Sequence, residues 1–448
     1  MTDLHMFHYR DKRLVYDVNS GSLHEVDELA WELIRRMCSG GELNQNEVFS
    51  LQSYSPREIE QAQTEINILK DGQMLFSLPP PGLEQRSGGG RLKALCLFMS
   101  CNCNLQCSYC FARPMEQGKD NNGNMNRDVA LRAVDLLLEQ EDGHFCEIDF
   151  FGGEPLLNFP LIREIVDYAQ NGGVHKNKEF TFTLTTNALL LGEDVSAFLN
   201  KENISVILSL DGRPAVHDRM RRAVSGEESY ARVLPHMHKF LQERGYNNYF
   251  IRGTYTAHNL DFCKDVEHLV AEGFDSLSLE PVVAKAGLPY ALQEGHIPRL
   301  EEEYDSLVEL YLERRNAGRP FHFYHFDMDL EKGPCVYKRL SGCGAGIEYL
   351  AVAADGTLYP CHQFVGTDEF CLGKLGDGPL ELDHEGGKRV ALSAAQRDEC
   401  PHCWARYLCG GGCAAASYFL AGDLYRNDNL YCTLQRIRLE RALYLQAV

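Results

Sequence analysis

The sequence predicts an α/β protein built around an incomplete, TIM-like (β/α)6 barrel, with a small N-terminal unit and a cysteine-rich C-terminal unit. Strand and helix patterns alternate six times in the middle of the chain, and the alternation stops near residue 320, where cysteines become dense. Such alternation favours parallel strands joined by right-handed crossovers. Six units are fewer than the eight of a closed barrel, so we expect an open barrel with its chemistry at the carboxyl ends of the strands.

The predicted unit boundaries follow changes in composition. A run of prolines and glycines after the N-terminal unit is typical of a linker. Within that unit, Ser55, Pro56 and Glu58 form a capping pattern that predicts the start of a helix. The predicted units are residues 1–78, a linker at 79–91, the barrel at 92–320 and the cysteine-rich unit at 321–448.

The barrel elements follow from hydrophobic periodicity, which changes from alternate residues in strands to every third or fourth residue in helices. Strands are predicted at 92–100, 145–151, 178–186, 205–211, 248–256 and 275–283. The helix after each strand is predicted near 127–140, 159–171, 192–202, 229–244, 261–272 and 297–317.

Composition excludes several function classes. The formal net charge of −20 argues against nucleic acid as a partner, because phosphate binding needs a basic surface. No apolar run is long enough for a membrane helix, and the first residues do not form a secretory signal, so we expect a cytoplasmic protein with no membrane partner. In that setting, seventeen cysteines indicate metal binding or catalysis rather than disulfides.

The first cysteine cluster follows the first barrel strand. Cys103, Cys107 and Cys110 have C-x3-C-x2-C spacing, although Cys101 is an alternative first member. Three thiolates on one loop can hold three irons of a [4Fe–4S] cluster and leave the fourth iron open for a ligand with an amine and a carboxylate. Zinc is a weaker interpretation, because structural zinc takes four ligands and no C-x2-C partner lies nearby.

This segment resembles the motif of the radical S-adenosylmethionine (SAM) superfamily, in which an aromatic residue, here Tyr109, precedes the last cysteine. The resemblance selects Cys103 as the first ligand and implies SAM as the cofactor of the open iron. It also implies that a Gly-Gly-Glu-Pro segment binds the SAM amino group and that a Ser-x-Asp-Gly…His-Asp-x-x-Arg signature, typical of peptide-modifying members, binds the SAM carboxylate. The SAM-binding residues expected in this way are Tyr109, Gly152, Gly153, Glu154, Asn187 (towards the ribose), Ser209 and Arg221.

The second cysteine cluster resembles the SPASM domain, whose seven cysteines hold two auxiliary [4Fe–4S] clusters. That resemblance assigns Cys343, Cys361 and Cys413 to the first auxiliary cluster and Cys400, Cys403, Cys409 and Cys432 to the second. With the SAM cluster, this makes three [4Fe–4S] clusters. The fourth ligand of the first auxiliary cluster is either Cys335 or a cysteine of the substrate. Two zinc ribbons are the alternative interpretation.

Residues 15–21, 333–346 and 359–364 are the stretches of greatest similarity to a known family. They resemble maturases of six-cysteines-in-forty-five (SCIFF) peptides, which form thioether links, and the resemblance covers nearly the whole chain. The resemblance implies a ribosomally made, cysteine-rich precursor peptide whose leader binds a winged-helix-like N-terminal domain as an added strand. An external reductant such as flavodoxin or ferredoxin is also implied. The rival enzyme is an anaerobic sulfatase maturase, which typically has Asp, a presumed general base, where this chain has His362. Histidine can also take a proton, so His362 is a candidate base. A non-enzymatic alternative is an iron–sulfur electron-transfer or peptide-binding scaffold.

Overall fold

The computed structural model describes residues 3–39, 53–79, 91–112, 123–140, 143–328, 330, 342–375, 386 and 390–448. Most of the predicted linker and Cys335, a candidate cluster ligand, lie outside the described residues. Within them, no helix is long and apolar enough to cross a bilayer.

The N-terminal part of the chain forms a three-stranded antiparallel sheet and two helices. In chain order these are β1 (Leu4–Tyr9), β2 (Lys12–Asp17), β3 (Leu23–Glu25), α1 (Glu28–Cys38) and α2 (Pro56–Asp71). The predicted capping box is confirmed, since the Ser55 side chain accepts from the Glu58 N–H and the Glu58 carboxylate accepts from the Ser55 N–H. Val15, Leu33 and Ile66 are buried between the sheet and the helices and hold this small unit together.

A ten-stranded sheet forms the centre of the protein, in the order β12-β11-β10-β8-β7-β6-β4-β13-β14-β15. Its strands are β4 (Ala94–Ser100), β6 (Phe145–Gly152), β7 (Glu179–Thr186), β8 (Ser205–Ser209), β10 (Tyr249–Tyr255), β11 (Ser276–Pro281), β12 (His322–Phe323), β13 (Tyr349–Val352), β14 (Thr357–Tyr359) and β15 (Gly373–Lys374). Two further strands, β5 (Leu105–Cys107) and β9 (Arg221–Ala223), pair with each other outside this sheet. All pairs from β12 through β13 are parallel, which confirms the predicted barrel.

The helices that connect the parallel strands also match the prediction. They are α3 (Arg127–Leu138), α4 (Phe159–Lys176), α5 (Glu193–Lys201), α6 (Pro214–Met220), α7 (Tyr230–Glu243), α8 (Cys263–Ala271) and α9 (Ile297–Asn316). The six predicted strands and the six predicted helices are present, and the short α6 is an addition. The observed α/β architecture with a partial barrel is therefore the predicted one.

The C-terminal part of the chain continues the barrel sheet. β13 pairs in parallel with β4, and β14 and β15 extend the sheet with antiparallel pairs. Among the described residues that follow are α10 (Arg406–Cys409), α11 (Ala414–Ala421) and α12 (Asn429–Gln446). α12 packs on α9, where the buried Arg441 lies 2.9 Å from carboxylate oxygens of both Glu301 and Asp305. The Tyr9 hydroxyl donates to Asp305 at 2.7 Å, which joins the N-terminal sheet to the same surface.

Candidate functional site

A cavity of about 940 Å³ lies at the carboxyl ends of the barrel strands. One wall is the cysteine loop after β4 with the ends of β6, β7 and β8. The cavity is also lined by residues of α11 and α12 and by five C-terminal cysteines, Cys400, Cys403, Cys409, Cys413 and Cys432. The two cysteine clusters, which are far apart in sequence, therefore face one space.

The first cysteine loop is held in place by a strand pair. β5 and β9 are antiparallel, with Cys107 opposite Arg221. The charges of Cys103, Cys107 and Cys110 interact with one another, and all three side chains line the cavity. Burial raises the pKa of Cys103 to about 12 and that of Cys107 to about 11. A buried thiol loses its proton most readily when a nearby cation stabilises the thiolate. These three thiols therefore suit a metal cluster.

Cys101 belongs to a different environment. It is buried, its N–H donates to the Gly123 carbonyl, and its charge interacts with Asp355 rather than with the three cysteines of the loop. The geometry therefore separates Cys101 from Cys103, in agreement with the C-x3-C-x2-C spacing.

Gly152 and Gly153 let the end of β6 lie directly against the cysteine loop. A Cβ on Gly152 would overlap the Ser100 carbonyl oxygen, and one on Gly153 would overlap the Asn102 carbonyl oxygen. The Gly153 N–H donates to Ser100 at 2.8 Å, which fixes this close approach. Both glycines also line the cavity, so their backbone is open to a bound molecule.

Glu154 is placed differently from the glycines that precede it. Its side chain is fully buried and accepts hydrogen bonds from the Leu156 N–H, the Thr186 hydroxyl and the Asn187 N–H at 3.1, 2.8 and 2.9 Å. Burial raises its pKa to about 7 despite these bonds. The carboxylate joins the ends of β6 and β7 and does not line the cavity. Its structural role was not foreseen from the motif.

Asn187 reaches the cysteine loop from the end of β7. Its Nδ2 donates to Asn104 Oδ1 at 2.7 Å and lies 3.6 Å from Cys103 Sγ. Ser209, at the end of β8, lines the same part of the cavity. The predicted SAM-contact residues from these strand ends are therefore close to the first cysteine set, except for the Glu154 carboxylate.

Asp211 organises the remaining predicted contacts. This buried carboxylate accepts from the Tyr109 hydroxyl and from the Thr254 N–H, and lies 3.0 Å from Arg221 Nε. The Arg221 guanidinium lies over the Tyr109 ring at 5.4 Å. Burial acts to lower the pKa of Arg221, but Asp211, Tyr109 and Cys107 together raise it well above its usual value, so the guanidinium stays charged. Asp211 was part of the quoted signature, yet its role in holding Arg221 was missed.

The C-terminal cysteines separate into two sets that match the sequence assignment. The charge of Cys361 interacts with Cys413 and Cys343. The Cys432 charge interacts with Cys409, Cys400 and Cys403. Within the part of the chain that the structure describes, no three Cys, His, Asp or Glu side chains converge on a single ion.

His362 faces the cavity beside the first C-terminal set. Its ring lies 4.9 Å from the Phe151 ring, and its Nδ1 is 3.0 Å from the Tyr349 hydroxyl. Burial, reinforced by the positive charge of Arg252, lowers the pKa of His362 to about 4. The imidazole is therefore neutral near pH 7, and its role as a base stays a prediction.

The fold and the site define a class of protein with three cysteines on one loop at the carboxyl end of a partial barrel. Residues 97–266 match the model of the radical SAM superfamily. An uncharacterized protein of Methanocaldococcus jannaschii is 34% identical over 288 residues, which are 64% of this chain and 90% of that protein. The chain belongs to the radical SAM superfamily, and this membership supports an enzyme that uses SAM and a [4Fe–4S] cluster.

Relatives with assigned names modify proteins or peptides. The chain is 27% identical over 328 residues to a cysteine-type anaerobic sulfatase-maturating enzyme of Clostridium perfringens, covering 70% of this chain and 86% of that enzyme. Native anSMEcpe with bound AdoMet and Kp18Cys peptide superimposes with a TM-score of 0.65 at 23% identity, covering 79% and 98% of the two chains. Streptococcus suis SuiB bound to precursor peptide SuiA gives a TM-score of 0.50 at 16% identity, covering 96% and 98%. At these identities the structural similarities establish the fold.

Proposed function

We propose that this enzyme forms thioether links between cysteine sulfurs and carbon atoms of a ribosomally made, cysteine-rich precursor peptide. The observation that carries the proposal is the shared cavity, because Cys103, Cys107 and Cys110 line it together with the second C-terminal set and with Cys413 of the first. A peptide in this cavity would contact both groups of cysteines. SuiB, whose fold covers 96% of this chain, binds a precursor peptide, which supports a substrate of this kind.

When bound, SAM and the iron–sulfur clusters would supply the difficult chemistry, namely removal of one hydrogen atom from the peptide and uptake of the electron that remains after the second hydrogen leaves as a proton. The chain's own residues bind and orient. Cys103, Cys107 and Cys110 would hold the SAM cluster, and the backbone of Gly152 and Gly153 would face the SAM amino group. Arg221, held by Asp211, presents a charged group suited to the SAM carboxylate.

The same proposal assigns two auxiliary [4Fe–4S] clusters to the two C-terminal sets. The second set lines the cavity, as does Cys413 of the first, and the cysteines of each set come from separate segments that the fold brings together. Cys400 accepts a hydrogen bond from Asn427 Nδ2 at 3.2 Å, and Cys413 accepts one from the Ala416 N–H at 3.5 Å. Donors of this kind favour a thiolate over a thiol, so both sets suit anionic clusters.

We assign the leader of the precursor peptide to the N-terminal unit. β3 is the last strand of its sheet, and no strand pairs with its outer edge among the residues that the structure describes. An extended peptide can add to such an edge through backbone hydrogen bonds. β1 lies on the opposite side, where His5 stacks on Trp404 at 3.8 Å and lies 2.9 Å from Glu440. Leader binding at β3 would therefore leave the junction with the C-terminal part intact.

The second candidate function is formylglycine formation, because a sulfatase-maturating enzyme is a relative over 70% of this chain. His362 occupies the position after the cysteine at 361, where that family typically has Asp. The N-terminal unit is the feature that favours a precursor peptide over a sulfatase.

The deciding experiment uses anaerobically reconstituted, reduced protein with SAM and a candidate cysteine-rich precursor peptide. Thioether formation predicts a loss of two hydrogens per link and linked cysteines that no longer react with a thiol-alkylating agent. Production of 5′-deoxyadenosine with an unchanged peptide would count against that substrate, and a sulfatase-type Cys or Ser peptide would be tested next. A pure electron carrier or scaffold would give no 5′-deoxyadenosine.

Arg252 should position the peptide inside the barrel. It faces the cavity from β10, level with Ser209 of β8, and is exposed to that space. Its neighbour Glu280 is already engaged, with His325 at 2.9 Å and Arg438 at 3.7 Å, and no carboxylate lies within ion-pair distance of Arg252 in the described part of the chain. The Arg252 guanidinium is thus free to bind a peptide carbonyl or carboxylate.

Arg252→Gln is therefore expected to raise the KM for the peptide by about tenfold or more, the effect of losing one charge-assisted hydrogen bond. The measurement is the rate of product formation as a function of peptide concentration at saturating SAM. Arg219→Gln is the matched control, because Arg219 is exposed and does not line the cavity. Equal effects of the two substitutions would contradict a role for Arg252.

A further inference from the structure

Arg397 is a buried cation that no motif of the sequence accounts for. Its side chain is 2% exposed. Nη1 donates to Ser417 Oγ at 2.9 Å, the Leu424 carbonyl at 2.8 Å and Asn427 Oδ1 at 3.0 Å. All three acceptors are uncharged, and in the described ranges no carboxylate pairs with Arg397. A buried guanidinium without an opposite charge is costly, so the negative charge must come from another group.

Among the described residues, the groups whose negative charge would act on Arg397 are cysteines of the two C-terminal sets. Its charge interacts with Cys400, Cys409 and Cys432 of the second set and with Cys413 of the first. The arginine thus lies between the two sets rather than within one of them.

The Nε of Arg397 is buried and has no hydrogen-bond partner among the described residues. It faces Gly411, in the turn that joins Cys409 of the second set to Cys413 of the first. Gly411 has φ +92°, and a Cβ there would lie 3.1 Å from Nε. A glycine at this position therefore leaves room for the Arg397 guanidinium beside the turn that joins the two C-terminal sets. An orphaned donor at this place indicates a missing acceptor, and the sulfur of a cluster is one.

We propose that Arg397 is the shared counter-charge of the two auxiliary iron–sulfur clusters and that it sets their reduction potentials. The proposal rests on the proposed function, which assigns those clusters. Reduction adds a negative charge to a cluster, and a buried cation stabilises the reduced form. Because one guanidinium acts on both sets, its removal should make both auxiliary clusters harder to reduce. The charge of Arg397 is not among those acting on Cys103 or Cys107, so the SAM cluster is an internal reference.

The test is redox titration of the full-length, reconstituted protein, with each cluster followed by electron paramagnetic resonance and iron counted beforehand. Arg397→Gln should shift both auxiliary potentials to more negative values and leave the SAM cluster unchanged. Arg397→Lys should stay near the wild type, since an ammonium has three N–H groups for the three acceptors that now hold Nη1. Arg426→Gln removes a nearby exposed charge and should shift nothing, because solvent screens it.

Each result has one meaning. A Gln variant that cannot hold auxiliary iron, beside a Lys variant that can and has wild-type potentials, would also support the proposal, since Lys restores the positive charge that Gln lacks. A fully loaded Gln variant with unchanged potentials would overturn it. So would a shift in Arg426→Gln as large as that in Arg397→Gln, or failure of both Arg397 variants alike. Wild-type protein with iron for one cluster only would instead refute the auxiliary clusters of the proposed function.

Discussion

Replacing Cys103, Cys107 and Cys110 together by alanine is expected to lower 5′-deoxyadenosine production to background, a loss of at least about a thousandfold. The three side chains face the cavity from one loop and are the only thiols on the barrel side of it among the described residues. No neighbouring thiol can replace them, because Cys101 is turned towards Asp355. The variant should lose about four irons per chain and keep the remainder.

The measurement is iron content together with 5′-deoxyadenosine after reduction in the presence of SAM. Cys101→Ala is the matched control, since it removes a buried thiol from the end of the same strand. This control should keep its iron and its activity. If Cys101→Ala lost the SAM cluster while a Cys103→Ala variant kept it, the assignment of the first ligand would be wrong.

The barrel could be predicted because its signal is local. Each strand and each helix repeats its own hydrophobic period within a few residues, and the six strands and six helices were found where the pattern placed them. The pairing of β13 with β4 could not be predicted in this way. It joins Tyr349 to Ala94 across some 250 residues, and only the folded chain shows that the C-terminal segment continues the sheet.

The candidate site could be predicted where the spacing of residues in the sequence indicates their chemistry. The cysteine sets are read from short intervals, and the structure groups the described cysteines in the same way. Membership of a motif predicted the role of an individual side chain less well than cysteine spacing predicted the cysteine sets. Glu154 lies in a predicted SAM-binding segment but joins two strands, while Asp211 holds Arg221. Arg397 has no motif at all, because its neighbours come from segments that meet only in three dimensions.

The second large effect that we expect comes from replacing Cys400 and Cys403 by alanine. This change should distinguish the role of the C-terminal part of the cavity from the role of the barrel part. The variant should lose peptide cross-linking while keeping some SAM cleavage. Cys400 and Cys403 belong to one turn, Cys409 ends α10, and Cys432 lies in α12, so a cluster on this set fastens three elements of the peptide-facing wall. Without the cluster, the charge of Arg397 would lose three of its four anionic partners.

The structure of the barrel part of the cavity does not depend on the second auxiliary cluster. Its strands β4, β6, β7 and β8 are joined by their own backbone hydrogen bonds, and the loop that carries Cys103 is held by the β5–β9 pair. Both products should therefore be measured in the same reaction, the cross-linked peptide by mass and 5′-deoxyadenosine by chromatography. Cys371→Ala is the control, because Cys371 is an exposed thiol outside both sets. Full cross-linking by the Cys400 and Cys403 variant would contradict the proposal. It would mean that the second auxiliary cluster is not required to hold or to oxidise the peptide.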